Sequence, residues 1–521
     1  MSENSTKHRK KQDAVKKAPT IPLYVYVIGV VAVFLLAYSY TFNSKIDING
    51  DNANYYMLGK ALAEGEGYVS LRSAEKAAHN HFPPGYPVLI AGVTSIFGDA
   101  FTTVKIFNGL LLAGSAGLLF FIGLHLTRLP ALSAVASVFL VLNAYVLQFA
   151  SMMMSELPFI FFSLFTFYLF LKLLDQQGKL LRSPYFYLTL LCLIMTYYIR
   201  AQGVALLGAM ILALAIRKRF LPAVVMTVAL VAAVAPWMVR SSNLGGNSYV
   251  KQLFSKNPYA PQEGMAEVGD FTDRILNNFS RYITTEIPES IFPSLVVNYR
   301  AEVGIGGWLL GIIIAAIIIY GLFSIPRLKW FTVAYVFFTM GILMLWPHVW
   351  VGTRFMLPLV PFLLLAGLFG LHKLILLGMK SQKMKPSFSP LFFLVFAMFL
   401  FGGIGQLHDK AEADYPPAWH NYFEIAKSVK QNAPGSQVIC RKPTLFHIFS
   451  GSPTSNFKKT TNNAELIEDF TQKKVDFVVV DNLGYSDTYN YLYPAVQNNP
   501  QHFQVAARLE NPDTYLLRFI P

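Results

Sequence analysis

Residues 305–323 read IGGWLLGIIIAAIIIYGLF, and residues 21–40 read IPLYVYVIGVVAVFLLAYSY. Each stretch is long enough for a helix to cross about 30 Å of hydrocarbon. The whole chain of 521 residues is 54% hydrophobic and only 14% charged, whereas an ordinary soluble domain is about 25% charged. These features exclude a string of soluble domains and predict an α-helical polytopic membrane protein.

The pattern continues along the chain and fixes an expected topology. The N-terminal tail and every second connection between the predicted spans together hold 19 basic and 3 acidic residues. The rest of the chain holds 24 basic and 26 acidic residues. Because positive charge collects on the cytoplasmic side, we expect the N-terminus inside and the C-terminus outside. The net charge of +14 is therefore a topology signal, and we expect no nucleic-acid partner. We predict eleven spans, near residues 22–40, 101–126, 130–150, 157–174, 184–199, 201–216, 220–239, 303–323, 330–346, 355–377 and 388–405.

Three parts follow from this pattern. Residues 1–20 form a basic cytoplasmic tail, residues 21–406 form a transmembrane domain with outer loops at 41–100 and 241–302, and residues 407–521 form an extracytoplasmic α/β domain. Compact size and short inner loops favour a bacterial inner (plasma) membrane, and membrane lipids are expected partners. The length of the second outer loop suggests a lid or an acceptor contact.

The outer segments also carry local structural signals. In DNANYYMLGKALAEGEGY, apolar residues recur at helical spacing at Tyr55, Leu58, Ala61 and Leu62, which predicts an amphipathic helix that ends at Gly65 and Gly67. The stretch HFPPGYPVLIAGVTSIFG predicts an interfacial helix. In the last domain, the sequence predicts a helix over 419–431, a strand in SQVICR, a helix in AELIEDFTQKKV, a strand in DFVVVD, and two strands joined by a turn at Asn511-Pro512-Asp513.

Two carboxylates belong to the outer surface. Asp51 follows the first span, where nearby lipid and aromatic side chains can tune a carboxylate toward general-base work, with Asp47 as a weaker alternative. The competing interpretation makes Asp51 the N-cap of the following helix. Glu156 begins another span at the same face. In the competing interpretation it is a first-turn carboxylate that the helix dipole favours, and Ser155 is the N-cap of that helix.

Cations lie at the outer ends of the same spans. Arg200, Arg240 and Arg354 end or begin spans, and His79 and His81 precede the Pro-Pro pair at residues 83–84. Arginine in a membrane is expensive, so these residues need either the headgroup zone or an anion. In the functional interpretation, several of them converge on the phosphate of a lipid-linked substrate.

The order of these features resembles a known family. GDNANYYMLGKALAEGEGY after the first span, then HFPPGYPVLIAG, SELPF, YYIRAQG and TRFMLPLVPFLLLAG, are similar to the type C fold glycosyltransferases that use lipid-phosphate sugars. That group includes dolichyl- or polyprenyl-phosphate-mannose protein mannosyltransferases and the aminoarabinose transferase of lipid A. The resemblance covers roughly residues 20–375.

The resemblance implies roles for individual residues. Asp51 corresponds to the family's proposed catalytic base, and Asn52 stands where many members have a second acid, so no metal-bridging carboxylate pair is expected there. His81-Phe82 stands where some relatives carry Lys. No cofactor is expected, and the residue pattern gives no support for a divalent metal. The expected substrate-binding residues are Asn52, Tyr55, His79, His81, Glu156, Arg200, His348 and Arg354.

The implied reaction is an inverting transfer of a hexosyl or pentosyl group from a polyprenyl-phosphate sugar. The acceptor would be a hydroxyl on a glycan, lipid or protein at the outer face. Two other classes stay open: a transporter or flippase of lipid-linked glycans, and a non-catalytic scaffold. A transporter predicts ionisable residues along a mid-membrane route, which these spans hardly contain.

Overall fold

The computed structural model describes residues 21–246, 248–260, 263–295, 299, 303–384 and 387–521, so the predicted basic tail lies outside the described residues. Helices make up most of this structure, with a 3₁₀ segment at Pro390–Leu400. Their bounds are Leu23–Thr41, Gly50–Ala63, Gly85–Phe97, Phe101–Thr127, Pro130–Leu142, Ala144–Ala150, Glu156–Asp175, Pro184–Ile199, Val204–Ile216, Phe220–Asn243, Ser248–Phe254, Val268–Arg281, Ile287–Ile291, Ile305–Ser324, Lys329–Leu345, Val360–Ser381, Phe401–Glu412, Pro417–Asn432, Pro443–Ser450, Asn463–Gln472 and Tyr493–Asn498.

Apolar helices occupy all eleven of the predicted span positions. Among the described residues, seven helical segments are long and apolar enough to cross a membrane, or eight if one bent pair counts as a span. The helices Pro184–Ile199, Ala201–Ile216 and Lys329–Leu345 are shorter. The polytopic helical fold class is therefore confirmed, while the count of eleven crossings and their orientation stay predictions.

The predicted continuous helix over residues 130–150 is instead broken. Pro130–Leu142 and Ala144–Ala150 meet at an angle of 61°. Asn143 between them has an extended backbone, and its side-chain oxygen accepts a hydrogen bond from the Val146 N–H at 3.2 Å. Asn143 therefore ends one helix and caps the next, a local preference that apolar periodicity does not reveal.

Close contact between two spans depends on glycine. A Cβ added to Gly321 would collide with the carbonyl oxygen of Ala366, and one added to Gly370 would collide with that of Ile317. The helices Ile305–Ser324 and Val360–Ser381 can approach this closely only because both positions lack a side chain. Small residues serve the same purpose at many membrane helix interfaces.

The two loops that are expected to lie outside are more helical than their length suggests. The first contains the predicted amphipathic helix, Gly50–Ala63, and the predicted short apolar helix, Gly85–Phe97. The second, expected to be a polar loop, is mostly helical, with a capping box that pairs Glu267 and Asp270 at the start of Val268–Arg281. That helix is rich in charged and polar residues, which is why hydropathy does not reveal it. Its role as a lid or acceptor contact stays a prediction.

The C-terminal unit contains a five-stranded sheet in the order β2-β1-β3-β5-β4. The strands β1 and β2 are parallel, as are β1 and β3, whereas β5 runs antiparallel to both β3 and β4. The predicted strands and the hairpin turn at Asn511-Pro512-Asp513 are present. The helix Pro443–Ser450 and strand β2 were not predicted. The strand bounds are β1 Val438–Ile439, β2 Thr454–Ser455, β3 Phe477–Val480, β4 Phe503–Leu509 and β5 Thr514–Phe519.

Candidate active site

Asp51 lies in the first turn of the helix Gly50–Ala63, referred to below as the Asp51 helix. The N-cap of this helix is Asn49, whose side-chain oxygen accepts a hydrogen bond from the Asp51 N–H at 3.0 Å. The interpretation of Asp51 as the cap is therefore wrong, because the preceding asparagine already fills that position. The Asp51 carboxylate is left to face the site, with 38% of its side chain exposed.

Asn52 and Tyr55 fasten the Asp51 helix to the segment before Glu156. Asn52 is fully buried; its amide nitrogen donates to the Asp47 carbonyl oxygen at 2.8 Å, and its amide oxygen accepts from the Met153 N–H at 3.0 Å. The Tyr55 hydroxyl donates to Ser155 Oγ at 3.1 Å. These contacts fix the distance between the two acidic segments. They place Asn52 within the protein core rather than at the open surface of the site.

Glu156 is fully buried and accepts from two arginines. Its Oε1 lies 2.5 Å from Arg354 Nε and 2.8 Å from Arg200 Nη1. Ser155 occupies the expected N-cap position but makes no capping hydrogen bond; instead its Oγ accepts from Arg200 Nη1 at 3.1 Å. A buried carboxylate needs such partners, since a lone charge removed from water is very costly.

Arg354 joins the two acids. While its Nε contacts Glu156, its Nη1 lies 3.3 Å from Asp51 Oδ2. The result is a chain of charges, Asp51–Arg354–Glu156–Arg200, built from four segments that are far apart in sequence. Two carboxylates and two guanidiniums make this cluster electrically neutral at pH 7. The positions of these four residues at predicted span ends indicate a shared face, but no spacing in the sequence indicates that one guanidinium bridges the acids.

The cluster opens toward Asp51. Glu156 has no exposed side-chain surface and Arg200 has 13%, whereas Arg354 has 30% exposed. Gly85 supports the buried end, because a Cβ there would collide with the backbone of Tyr198 just before Arg200. Asp51 and Arg354 are therefore the accessible members of the cluster, while the buried Glu156 holds Arg354 and is itself paired with Arg200.

The two histidines behave differently. His79 Nε2 accepts from the Phe82 N–H at 2.9 Å, and burial lowers the pKa of His79 to about 3, so its ring is neutral. Arg240 donates to the His79 carbonyl oxygen at 2.6 Å, so this arginine stabilises the loop that carries His79. Burial also lowers the pKa of His81, while the Asp51 carboxylate opposes this shift through its charge. The structure therefore brings His81 near Asp51 and gives His79 a structural contact.

His348 belongs to a second cluster. Its side chain is exposed, and its carbonyl oxygen accepts from Arg281 Nη1 at 2.7 Å. Arg281 Nε also pairs with the fully buried Glu286 at 2.7 Å. Burial raises the pKa of Glu286, and the charge of Arg281 opposes that shift. The structure places no contact between His348 and the four-residue cluster among the described residues.

Sequence reasoning missed the acids of this second cluster. Glu289 is nearly buried, and its carboxylate accepts from the hydroxyls of Tyr145 and Tyr299. The signal was present, since YITTEIPES places two acids within one turn of each other in a segment that is otherwise uncharged. No group of three or more His, Cys, Asp or Glu residues that could hold a metal comes together in the part of the chain that the structure describes.

The chain matches no protein-family model and no curated protein sequence. Among solved structures, it is similar to ArnT from Cupriavidus metallidurans bound to undecaprenyl phosphate, with a TM-score of 0.58 and 12% identity over 95% of this chain and 98% of that one. The apo state of the same ArnT gives a TM-score of 0.56 and 13% identity over the same shares.

A second similar protein is the Archaeoglobus fulgidus oligosaccharyltransferase in complex with Zn and sulfate. The TM-score is 0.56, with 11% identity over 93% of this chain and 72% of that chain. Both proteins are type C fold glycosyltransferases. The likeness to ArnT extends over 95% of this chain. This chain therefore has the type C glycosyltransferase fold that its sequence motifs predict.

Proposed function

We propose that this protein is an inverting membrane glycosyltransferase that moves a sugar from a polyprenyl-phosphate donor to an acceptor hydroxyl at the outer face of the membrane. The observation that carries the proposal is the bridge from Arg354 to both Asp51 and Glu156 at the open end of the cluster. The fold adds support, because ArnT, which shares it, was crystallised with undecaprenyl phosphate.

Asp51 is the general base in this proposal. The acceptor hydroxyl oxygen attacks the anomeric carbon while its proton passes to the Asp51 carboxylate. The bond from the anomeric carbon to the phosphate oxygen breaks, and the lipid phosphate leaves with the bonding electrons. A single displacement of this kind inverts the anomeric centre. The partly exposed carboxylate meets the geometric need for an acceptor to reach it.

Arg354 has two roles. Through Nη1 it orients Asp51, and through its exposed surface it offers positive charge to the departing phosphate. Glu156 is a positioning residue: it is fully buried and acts only by fixing the guanidiniums of Arg354 and Arg200. This differs from the sequence expectation, which put Glu156 in contact with the substrate.

The proposal also covers the location of the reaction and its partners. The N-terminus is proposed to lie in the cytoplasm and the outer α/β domain outside, in a bacterial inner membrane. The acceptor is a glycan, lipid or protein that reaches Asp51 from the outer side. The donor carries a hexosyl or pentosyl group, and no metal-dependent step is included.

The experiment that tests the proposal uses purified full-length protein in lipid nanodiscs with a panel of polyprenyl-phosphate sugars. A transferase consumes one donor and releases polyprenyl phosphate, and the variant Asp51→Asn does so far more slowly. A flippase or a scaffold consumes none of them. The absence of donor consumption by wild-type protein across the panel, with acceptor extracts present, would contradict the proposal.

A further inference from the structure

The outer domain packs directly on the Asp51 helix. Its helix Pro443–Ser450 lies against this helix, and the Thr444 hydroxyl donates to the side-chain oxygen of Asn54 at 2.6 Å. A second contact joins Arg72 of the first outer loop to Thr454 of strand β2 through hydrogen bonds of 2.7 and 3.2 Å. These contacts orient the domain so that the residues just before Pro443 face the start of the Asp51 helix.

Lys442 is the residue that this arrangement brings to the site. Its Nζ lies 3.9 Å from the position that a Cβ would take on Gly50, the residue next to Asp51. The backbone N–H of Lys442 donates to the buried Tyr422 hydroxyl at 3.1 Å, which anchors the main chain. The side chain is half-buried. Lys442 therefore places an ammonium group beside the first turn of the Asp51 helix.

An aromatic ring supports this ammonium group. Lys442 Nζ lies 4.5 Å from the centre of the Tyr485 ring, and Arg441 Cζ lies 4.6 Å from the same ring. Cations over an aromatic face are attracted by its quadrupole. The Tyr485 ring therefore attracts two neighbouring cations, and this attraction offsets part of the repulsion between them.

Only one of these two cations has a carboxylate partner. Arg441 pairs with Asp487 at 2.9 Å, and Lys459 pairs with the same oxygen at 3.0 Å. Lys442 makes no ion pair with any residue that the structure describes. Even with the nearby Asp481 counted, whose pKa burial raises to about 6, this corner of the outer domain holds three cations against two acids. This corner of the outer domain therefore carries one excess positive charge, and Lys442 is its cation beside Gly50.

The active-site cluster itself supplies no such excess. Arg200 and Arg354 are matched by Glu156 and Asp51, so the four charges cancel. A lipid phosphate adds about one to two negative charges, and these need a further cation close to the reacting centre. Among the described residues, Lys442 combines an unpaired charge with a position beside Asp51.

We propose that Lys442, held over Tyr485 by the outer domain, binds the phosphate of the polyprenyl-phosphate substrate beside Asp51. The inference rests on the proposed function and assigns to the outer domain a binding residue in the transmembrane active site. The domain then completes the site, since a substrate phosphate links its ammonium group to the Asp51 helix.

The test measures binding of undecaprenyl phosphate and of the uncharged undecaprenol to full-length protein in nanodiscs. We expect Lys442→Ala and Lys442→Gln to weaken undecaprenyl phosphate binding by about 10-fold to 100-fold, the range for one lost charge-assisted contact. Undecaprenol binding should not change, and Lys442→Arg should retain most of the affinity. The control is Lys427→Ala, which removes a half-exposed lysine of the same domain that already pairs with Glu424.

The outcomes separate the inference from the proposed function. Equal losses for undecaprenyl phosphate and undecaprenol would overturn the inference, because they would indicate a structural defect. Wild-type affinity in Lys442→Ala, together with lost affinity in Arg354→Ala, would also overturn it and leave the proposed function standing. If wild-type protein binds undecaprenyl phosphate no better than undecaprenol, the protein does not recognise the phosphate and the inference about Lys442 is overturned. In that case the donor panel decides the proposed function: donor consumption retains the transferase, and no consumption overturns it as well.

Discussion

Asn49 caps the helix that carries Asp51, through a hydrogen bond of 3.0 Å from the Asp51 N–H to the Asn49 side chain. This contact separates two roles that are easily confused in the sequence. The cap stabilises the helix, while the carboxylate two residues later pairs with Arg354. Stability and chemistry can therefore be tested at different positions.

The first prediction concerns the cap. Asn49→Ala removes the side-chain acceptor and should lower the free energy of unfolding by about 1 kcal/mol, whereas Asn49→Asp should retain most of the cap. Thermal unfolding of both variants in nanodiscs measures the difference. Equal stability of Asn49→Ala and wild-type protein would mean that the hydrogen bond contributes nothing.

The second prediction concerns the buried acid. Glu156→Gln removes the negative charge that faces Arg200 and Arg354, and breaking a buried pair by removing one partner costs about 3–5 kcal/mol. We expect a large fall in thermal stability or expression. The control Glu424→Gln breaks an exposed pair with Lys427 and should cost less than about 1 kcal/mol. Similar stability of the two variants would refute the positioning role of Glu156.

The third prediction concerns pH. Burial lowers the pKa of His79 to about 3 in the folded protein, from an ordinary value of 6.5. Below pH 6.5 the unfolded chain binds a proton that the folded protein does not, so stability falls as the pH falls toward 3, by at most about 1.4 kcal/mol per pH unit.

The variant His79→Gln should lose this part of the pH dependence, and it retains an acceptor for the Phe82 N–H. The comparison is between unfolding curves recorded from pH 7 to pH 4. His420→Gln, which changes an exposed histidine, is the control and should keep the wild-type slope. An unchanged slope in His79→Gln would show that this ring titrates equally in both states.

The fourth prediction concerns topology. A cysteine placed at the exposed position Asn482 should react with a membrane-impermeant reagent added from outside, and one placed at Lys10 should not. The native Cys192 and Cys440 are buried, so background labelling should be low. The reverse labelling pattern would put the active site on the opposite side of the membrane.

Much of the fold could be predicted because long apolar segments have few alternatives to a helix in lipid. All eleven predicted positions carry helices, and the motif order predicts the observed fold. The break at Asn143 was not predicted because this capping residue is a single polar position between two apolar segments, and hydropathy treats the two segments as one span. The short strand β2 escaped because its pairing with β1 is a tertiary contact, with little local signal.

The closeness of four charged residues was predictable from the sequence, but their connections were not. Asp51, Glu156, Arg200 and Arg354 were placed at one face from the ends of the predicted spans. The bridge through Arg354 depends on the packing of several helices, which no spacing in the sequence encodes. The approach of Lys442 to Gly50 depends in addition on how the outer domain docks. Interactions between distant segments are thus what the structure adds.

The proposed mechanism depends on Asp51 as the general base. Its most direct test compares donor turnover by Asp51→Asn and wild-type protein at matched thermal stability and matched undecaprenyl phosphate binding. Because Asn49 provides the cap, the substitution should leave the helix intact. Turnover should fall by about two to four orders of magnitude, the range for a lost general base. Wild-type turnover in Asp51→Asn would contradict it.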